Sequence, residues 1–479
     1  MREIDRTAIE DEGIPGYTLM TRAGAAAVRA ARERFPDATR WQVVCGAGNN
    51  AGDGYVVARL AAQDGIVVSV LALVDPESLT GDAATAYGDF AAEGGVVMPW
   101  EGALDDEASL IVDALLGSGL EREVTGEFSS AVSAMNAHSA RVMALDIPTG
   151  VHGDTGQVMG SAVEADLTVT FVGLKAGLFA GEGAELSGAI VFDGLDVPEH
   201  CRPHAEAMSR RISSRVLRRC LKRRPRSAHK GDFGHVLIIG GGEGMPGAVR
   251  LAGEAALRAG AGLVSVATHP SHAAVIVGSR PELMSHGIAD ADSLAPLLER
   301  ATAIAFGPGL GRSEWAQQLY AVVSELELPC VWDADALNLL AETPAKNARR
   351  IITPHPGEAA RLLGDTTSVV QENRPAALHS LQDRYGGVVV LKGANTLVTS
   401  KKQVPWLCTS GNPGMASPGM GDVLTGIVAA LLAQGLGKEA SAVVGVEAHA
   451  RAGDLAARSG ERGTIASDLV AELRHVVNP

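Results

Sequence analysis

Short apolar runs in this chain end repeatedly in a glycine-rich or acidic loop, and a helical pattern follows each loop. In the first half the runs lie at 41–45, 66–73, 110–113, 142–146 and 167–171. In the second half they lie at 235–239, 262–268, 303–306, 329–333, 351–353 and 388–391. Residues 1–35 read as helical, and further helices are expected at 55–62, 80–93 and 248–259. Strand, loop and helix in that order describe an α/β chain with mostly parallel sheets. Ligands in such sheets bind at the carboxyl ends of the strands, where these loops lie. A chain of 479 residues is long enough for two or three such domains.

One loop of the second series shows its chemistry most openly. Residues 411–426 read GNPGMASPGMGDVLTG and lead into an apolar helical run at 423–432. Glycine lets backbone N–H groups approach a ligand closely. A helix start leaves N–H groups unpaired and carries the positive end of the dipole. Phosphate suits such a place. Asp422 then stands beside a bound phosphate and repels it unless it has a task. One such task is to take the proton from a hydroxyl that attacks a phosphoryl group. The other reading makes Asp422 a helix cap, a position Asp favours. Lys392-Gly393 follows the run at 388–391 and brings a cation near phosphates, or else is a surface turn. Asp333 and Asp335 act through a metal ion or cap helices.

The loops of the first half suggest a second ligand. GAGNNAGDG at 46–54 has no Lys-Ser/Thr ending, so it is not an ATP-binding P-loop. Its spacing is not GxGxxG either. Two adjacent amides, Asn49 and Asn50, together with Asp53, suit a polar, hydroxyl-rich ligand. Asp113, Asp146 and Thr149 add oxygen atoms that suit a hard monovalent or divalent cation. The alternative is that Asp113 and Asp146 cap helices at the sheet edge. The loops at 46–54, 114–119, 147–150 and 172–175 are expected to converge on one pocket.

Charge and cysteine usage narrow the class. A formal net charge of −15 argues against a nucleic-acid protein but permits a nucleotide site, which needs only local donors. The 5 cysteines are odd in number and lack disulfide or metal-site spacing, which suits a reducing cytoplasm. The N-terminus has no apolar signal core, and the longest apolar run is too short to span a bilayer. A cytoplasmic enzyme with no membrane contact is expected. Arginines and lysines crowd residues 199–228, which read as a solvated joint rather than an RNA patch.

Two sets of motifs resemble one family. GAGNNAGDG, DALLGSGL, ALDIPTGVHGDTG and TVTFVGLKAG look like the epimerase domain of the bifunctional NAD(P)H-hydrate repair enzymes. HKGDFG, GAVRLAGEAALRAGAGLV, GPGLG, DADALN, TPHPGE, LKGANT and NPGMASPGMGD resemble their dehydratase domain. The resemblance implies a Rossmann-like three-layer domain at 1–210 and a ribokinase-like domain at 211–479. It implies that the R and S hydrates of NADH and NADPH (NADHX and NADPHX) are interconverted and the S form is dehydrated. ADP would be the co-substrate, giving AMP and phosphate.

The implied site residues follow from the matching positions. Asn49, Asn50, Ala51, Gly52 and Asp53 would contact the hydrate. Gly117, Ser118, Gly119, Leu120, Glu121, Arg122 and Glu123 would form a substrate loop. Asp146 would be the acid/base of epimerisation, and Asn50, Asp113 and Thr149 would hold K⁺. In the second domain Ala248, Gly309, His355 and Asp422 would line the hydrate site. Lys392, Gly393, Ala394, Asn395, Thr396 and Gly421 would bind the nucleotide, with Mg²⁺. Asp422 would be the base, and His355 would shape the pocket. Ala51 replaces the usual glycine, which requires a negative φ there. Pro418 and Met420 depart from a loop that usually has more glycine and a hydroxyl at 420. The family and the small-residue helix faces imply a homo-oligomer, a tetramer or larger. A ribokinase-like small-molecule kinase with a non-catalytic N-terminal binding module is the alternative.

Overall fold

The computed structural model describes residues 2–201, 207–401 and 404–479, so part of the basic joint, 202–206, lies outside the described residues. The chain forms two compact units, Met1–Ala207 and Met208–Pro479.

Unit one holds seven strands: β1 (Arg40–Cys45), β2 (Val67–Ala72), β3 (Val97–Pro99), β4 (Leu110–Ala114), β5 (Arg141–Leu145), β6 (Leu167–Phe171) and β7 (Ala189–Asp193). Their order is β3-β2-β1-β4-β5-β6-β7. Every neighbouring pair is parallel. The order turns between β1 and β4, which opens a crevice at their carboxyl ends. Helices α1 (Gly16–Arg34), α2 (Asn49–Gln63) and α3 (Gly81–Ala92) cover one face. Helix α4 (Gly126–Ala137) packs on the other. Trp41, Val43 and Cys45 of β1 enter the first core, whereas Val44 enters the second. This is the alternation a strand covered on both faces needs.

Helix α2 starts at Asn49, six residues earlier than its pattern suggests. Asn and Gly form helix poorly, yet tertiary packing overrides propensity here. Gly48 precedes it with φ +96°. Within the helix, a Cβ at Gly54 would lie 2.5 Å from Ala114 Cβ, so glycine sets how closely α2 meets β4. The N-terminal 35 residues are helical as expected but broken. A short helix (Arg2–Arg6) and a π turn (Thr7–Asp11) precede α1.

Unit two holds β8 (Arg210–Arg211), β9 (His235–Ile239), β10 (Leu263–Thr268), β11 (Met284–Gly287), β12 (Ala303–Phe306), β13 (Cys330–Trp332), β14 (Arg350–Ile352), β15 (Val388–Leu391), β16 (Leu397–Ser400) and β17 (Trp406–Leu407). Their order is β11-β10-β9-β12-β13-β14-β15-β16-β17-β8. The sheet is parallel from β11 to β15, and β16 turns it antiparallel. Five helices matter for the site: α5 (Pro246–Arg258), α6 (Asp335–Glu342), α7 (Pro356–Leu363), α8 (Arg374–Tyr385) and α9 (Met420–Ala433). A sixth, α10 (Lys438–Ala456), backs α9. Gly426 lets α9 lie against α5, because a Cβ there would stand 2.1 Å from Ala252 O.

The basic joint is more structured than a solvated linker. Arg210-Arg211 form β8 beside β17. Arg211 Nε donates to Thr409 Oγ1 at 2.8 Å. Arg224 stacks on Phe233, 3.5 Å from the ring centroid, and donates to Gln434 Oε1. These arginines hold the start of unit two to its own body.

Candidate functional site

In unit one the loops after β1, β4, β5 and β6 surround a cavity of about 640 Å³. Asn49, Asn50 and Asp53 come from the first turns of α2, residues 116–122 from the loop after β4, and Asp146 from the end of β5. Asp146 has φ +67°, unusual for a non-glycine residue, and it ends its strand there. Lys175, after β6, forms a close ion pair with Asp146. Its Nζ also donates to Thr170 Oγ1 at 3.1 Å and to Phe171 O at 3.0 Å. The buried lysine is therefore fully engaged, and it fixes the Asp146 carboxylate at the cavity wall.

Two more carboxyls share that space. Burial pushes the Asp53 carboxyl well up, and the negative Asp146 adds to the effect. Asp5, from the N-terminal helix, also lines the cavity, and burial raises its carboxyl too. Ala51 and Gly52 lie among the same residues but face away. Ala51 is buried in the core with negative φ, so its methyl is accommodated. A Cβ at Gly52 would lie 2.6 Å from Met20 Cε. Glu123 is exposed and stands outside the cavity wall.

Asp113 and Thr149 sit behind this wall and bind each other. Thr149 Oγ1 donates to Asp113 Oδ1 at 2.7 Å, and Thr149 N donates to Oδ2 at 2.8 Å. Thr149 Oγ1 in turn accepts from Leu116 N at 2.9 Å. Burial lifts the Asp113 carboxyl to about 6, against the pull of these hydrogen bonds. Asn50 reaches the next residue, Gly117, and both polar atoms of its buried amide lack a protein partner. An unpaired buried amide costs stability unless a ligand completes it. Asn50, Asp113 and Thr149 thus present oxygen atoms that a desolvated monovalent cation fits.

In unit two the loops at the turn of the strand order are tied to each other. Gly241 N donates to Pro308 O at 2.9 Å and Gly242 N to Gly309 O at 2.7 Å. These two glycine amides are paired within the protein and so are not free to hold a phosphate. The polar cluster lies further along, at the ends of β13, β14 and β15. Lys392 Nζ donates to Asp333 Oδ1 at 2.6 Å and stands 3.6 Å from Glu358 Oε2. Thr425 Oγ1 of α9 donates to Asp333 Oδ2 at 2.8 Å. Gly421 sits over this group, where a Cβ would be 3.3 Å from Lys392 Nζ.

Asp422 occupies the first turn of α9. Burial raises its carboxyl to about 7, and Asp333, Asp335 and Glu358 together outweigh the opposing Lys392. Burial alone would depress the Lys392 ammonium, but Asp333 and Glu358 hold it above its ordinary value. A carboxyl that titrates near neutrality is matched to proton transfer. Met420 turns its side chain into the core, so the position that lacks a hydroxyl does not face a ligand. Ser417 Oγ, in the loop before it, is buried without a protein partner.

The other expected residues divide. Ala248 and Gly309 are neighbours, since a Cβ at Gly309 would lie 3.0 Å from Ala248 Cβ. His355 is the N-cap of α7: Nδ1 accepts from Gly357 N at 3.0 Å, and Glu358 Oε2 accepts from His355 N at 2.7 Å. The turn 392–396 holds Gly393 at φ +129° and Asn395 at φ +55°. Arg374 of α8 clamps it from below through the carbonyls of Leu391, Lys392 and Asn395. Asp335 is occupied by Gly311 N at 2.8 Å and Asn338 Nδ2 at 3.2 Å. Neither Asp333 nor Asp335 is a ready-made cation cage.

Lys175 stands in the expected pocket, but its ion pair with Asp146 was not foreseen, and Asp5, Glu358, Thr425 and Arg374 were not expected as parts of these sites. Nor was His449 of α10, whose Nε2 meets Met420 O at 2.9 Å and braces the turn carrying Asp422. Burial drives that imidazole down to about 4, so it stays neutral and donates. A lysine directly after an apolar strand, as in TVTFVGLK, was the one available signal.

Comparison with known proteins agrees with this division. A family model described as NAD(P)H-hydrate dehydratase matches residues 236–475, and one described as YjeF-related protein N-terminus matches residues 16–177. A bifunctional NAD(P)H-hydrate repair enzyme of Coxiella burnetii is 47% identical over the whole chain and 98% of its own length. The Escherichia coli enzyme of the same name is 45% identical over the whole chain and 93% of its length. Among solved structures, an ADP/ATP-dependent NAD(P)H-hydrate dehydratase from Bacillus subtilis, co-crystallised with ATP and Mg²⁺, is 29% identical with a TM-score of 0.52. It covers 56% of this chain, and 97% of that protein is matched. A ribokinase-like superfamily protein from Enterococcus faecalis is 28% identical with a TM-score of 0.54, covering 57% of this chain and 97% of its own. Likeness over the full length at this level identifies the chain as a member of the bifunctional NAD(P)H-hydrate repair enzyme family.

Proposed function

We propose that the chain repairs NADHX and NADPHX in two steps, epimerisation in unit one and ADP-dependent dehydration in unit two. The observation that carries this reading is likeness to bifunctional repair enzymes over the whole chain, at 47% and 45% identity. A small-molecule kinase with a passive N-terminal module would not account for that full-length match, nor for a cavity lined by Asp146, Lys175 and Asp53.

In unit one the hydrated nicotinamide enters the cavity between residues 49–53 and 117–123. The hydroxyl leaves C6 as water, with the ring nitrogen supplying the electrons, and water returns on the other face. Asp146, held by Lys175, moves the proton at that oxygen. Asn50, Asp113 and Thr149 would hold K⁺, which supplies fixed positive charge beside the cavity when bound.

In unit two Asp422 takes the proton from the C6 hydroxyl, and that oxygen attacks the terminal phosphorus of ADP. AMP leaves. The C6–O bond of the resulting phosphate ester then breaks, phosphate leaves, and a proton is lost from C5, which restores the dihydronicotinamide. Ala248, Gly309 and His355 shape the hydrate side of the site. Lys392–Thr396 and Gly421 bind the nucleotide, and Ser417 Oγ is a further donor available to phosphate. Mg²⁺ would be held chiefly by the phosphates and water, since the nearby aspartates are already bonded, and it would neutralise charge on them. Assembly into a tetramer or larger belongs to the same reading and is checked by light scattering.

The test is recovery of dihydronicotinamide absorbance from mixed R and S NADH hydrate, with K⁺, Mg²⁺ and either ADP or ATP. Complete recovery with ADP is expected. Recovery that stops at the S fraction would remove the epimerase half, and none with either nucleotide would remove the dehydratase half.

A further inference from the structure

We propose that Glu12, His200 and Cys201 form a binding site for a zinc-class divalent ion that ties the N-terminal segment to the segment after β7. Their ligand atoms all lie within 4.8 Å of one another. Among the described residues no other group of three His, Cys, Asp or Glu side chains is gathered this way. His200 Nε2 and Glu12 Oε1 are 2.6 Å apart, and the two residues are exposed while Cys201 is buried.

The backbone on both sides is already set. Glu12 N donates to Thr7 O at 3.2 Å and closes the π turn. Cys201 N donates to Pro198 O at 3.1 Å and closes a short 3₁₀ turn. One thiolate, one imidazole and one carboxylate make a three-ligand set that zinc takes, with water in the fourth position. The thiolate disfavours Mg²⁺ and Ca²⁺, which prefer oxygen. Metal–ligand bonds of about 2.0–2.3 Å place tetrahedral ligands somewhat over 3 Å apart. The imidazole–carboxylate pair would open slightly and the thiolate would draw in. Cys201 packs in the core of unit one, so its sulfur would turn from that core toward the ion.

The position has a consequence for the first unit. Asp5 and Ile9 precede Glu12, Leu195 precedes His200, and all three line the cavity. Arg22 Nη1 already holds Leu195 O at 2.8 Å. An ion at this site would lock the two chain segments that close one side of the cavity. The site itself does not rest on the proposed reaction.

The experiment uses the full chain, freed of metal by a chelator and titrated with Co²⁺. Cobalt bound through a thiolate gives a charge-transfer band in the near ultraviolet. The band is expected to appear at one equivalent and to be displaced by Zn²⁺. It is expected to be lost in Cys201→Ser and to require more cobalt in His200→Ala and Glu12→Gln. Should Cys201→Ser fail to fold, the two variants at exposed positions decide. Absence of the band in the parent chain overturns the proposal. So does a titration that neither His200→Ala nor Glu12→Gln weakens, because the band would then come from Cys45, Cys220, Cys330 or Cys408.

Discussion

The loops after β1 and β4 in unit one are joined where they begin, Gly46 N donating to Ala114 O at 3.1 Å, and open beyond that into a cavity, whereas the corresponding loops after β9 and β12 in unit two stay paired further along, through Gly241 N to Pro308 O and Gly242 N to Gly309 O. Both pairs flank the place where the strand order turns. In unit one the unpaired amide of Asn50 lies there. In unit two the polar cluster is displaced to β13–β15, and its central acid is delivered by helix α9 instead of by a strand. The same sheet plan therefore positions two unlike carboxylates. Asp146 is held by one dedicated lysine, while Asp422 shares Lys392 with Asp333 and Glu358. Burial lifts the Asp422 carboxyl to about 7 and Asp333 adds to the effect, while Lys392, shared among three acids, offsets only part of it.

Separating the two acids gives the largest effects. Asp422→Asn is expected to lower dehydration of the S hydrate by roughly 10²–10⁴-fold and to leave epimerisation unchanged. Asp146→Asn is expected to do the reverse, so that recovery from a mixed sample stops at the S fraction. Each is read by coupled absorbance with separated epimers. Loss of both activities from either single change would end the assignment of one acid to each unit.

Much of this arrangement was legible in the chain. The strands that feed the polar clusters, β1, β4, β5, β6, β13, β14 and β15, are apolar runs ending in polar loops, and all were expected within a few residues. The strands that escaped notice, β3, β7, β8, β11, β16 and β17, are short or stand toward a sheet edge, and β7 alternates too weakly to stand out. Pairings were less legible than strands. Lys175 meets Asp146 across 29 residues and Lys392 meets Asp333 across 59, distances no local pattern encodes. Asp5 reaches the cavity from a helix that reads only as charged. His355 shows the opposite limit: its motif reads as a pocket residue, and its ring nitrogen is taken by a helix cap.

The dedicated lysine makes unit one more sensitive to losing its cation. Lys175→Met strands Asp146 and two hydrogen-bond acceptors in a buried place. The expected cost is about 3–5 kcal/mol, with epimerase activity lost. Thermal unfolding should show a lower first transition while dehydratase activity survives at room temperature. An unmoved transition would mean that the pair contributes no net stability.

The buried carboxyl of Asp422 makes unit two adjustable by pH. Asp422 must be ionised to accept a proton, so dehydratase kcat/KM should rise with pH up to about 7 and level off above it. Asp333→Asn removes the charge that, after burial, most opposes ionisation of Asp422. It also releases Lys392 toward Asp422. Both changes favour the carboxylate, so the rising limb should move to lower pH by about one unit. A limb that stays in place would assign it to another group.

The smallest effect concerns Ala51. Ala51 belongs to the stretch expected to touch the hydrate, yet its methyl is buried in the core beneath α2. Ala51→Gly would remove that methyl and loosen the first turns of a helix already rich in Asn and Gly. Helix propensity accounts for about 1 kcal/mol and the buried methyl for about another 0.8 kcal/mol. Denaturant unfolding of unit one should register that loss, while epimerase kcat stays at the parent value. If kcat fell instead, the methyl would be acting through Asn50 or Asp53, its neighbours at the cavity wall. Stability lost with activity kept would show that the cavity is built from one side of α2 alone, and that a methyl at position 51 is tolerated because it faces the core.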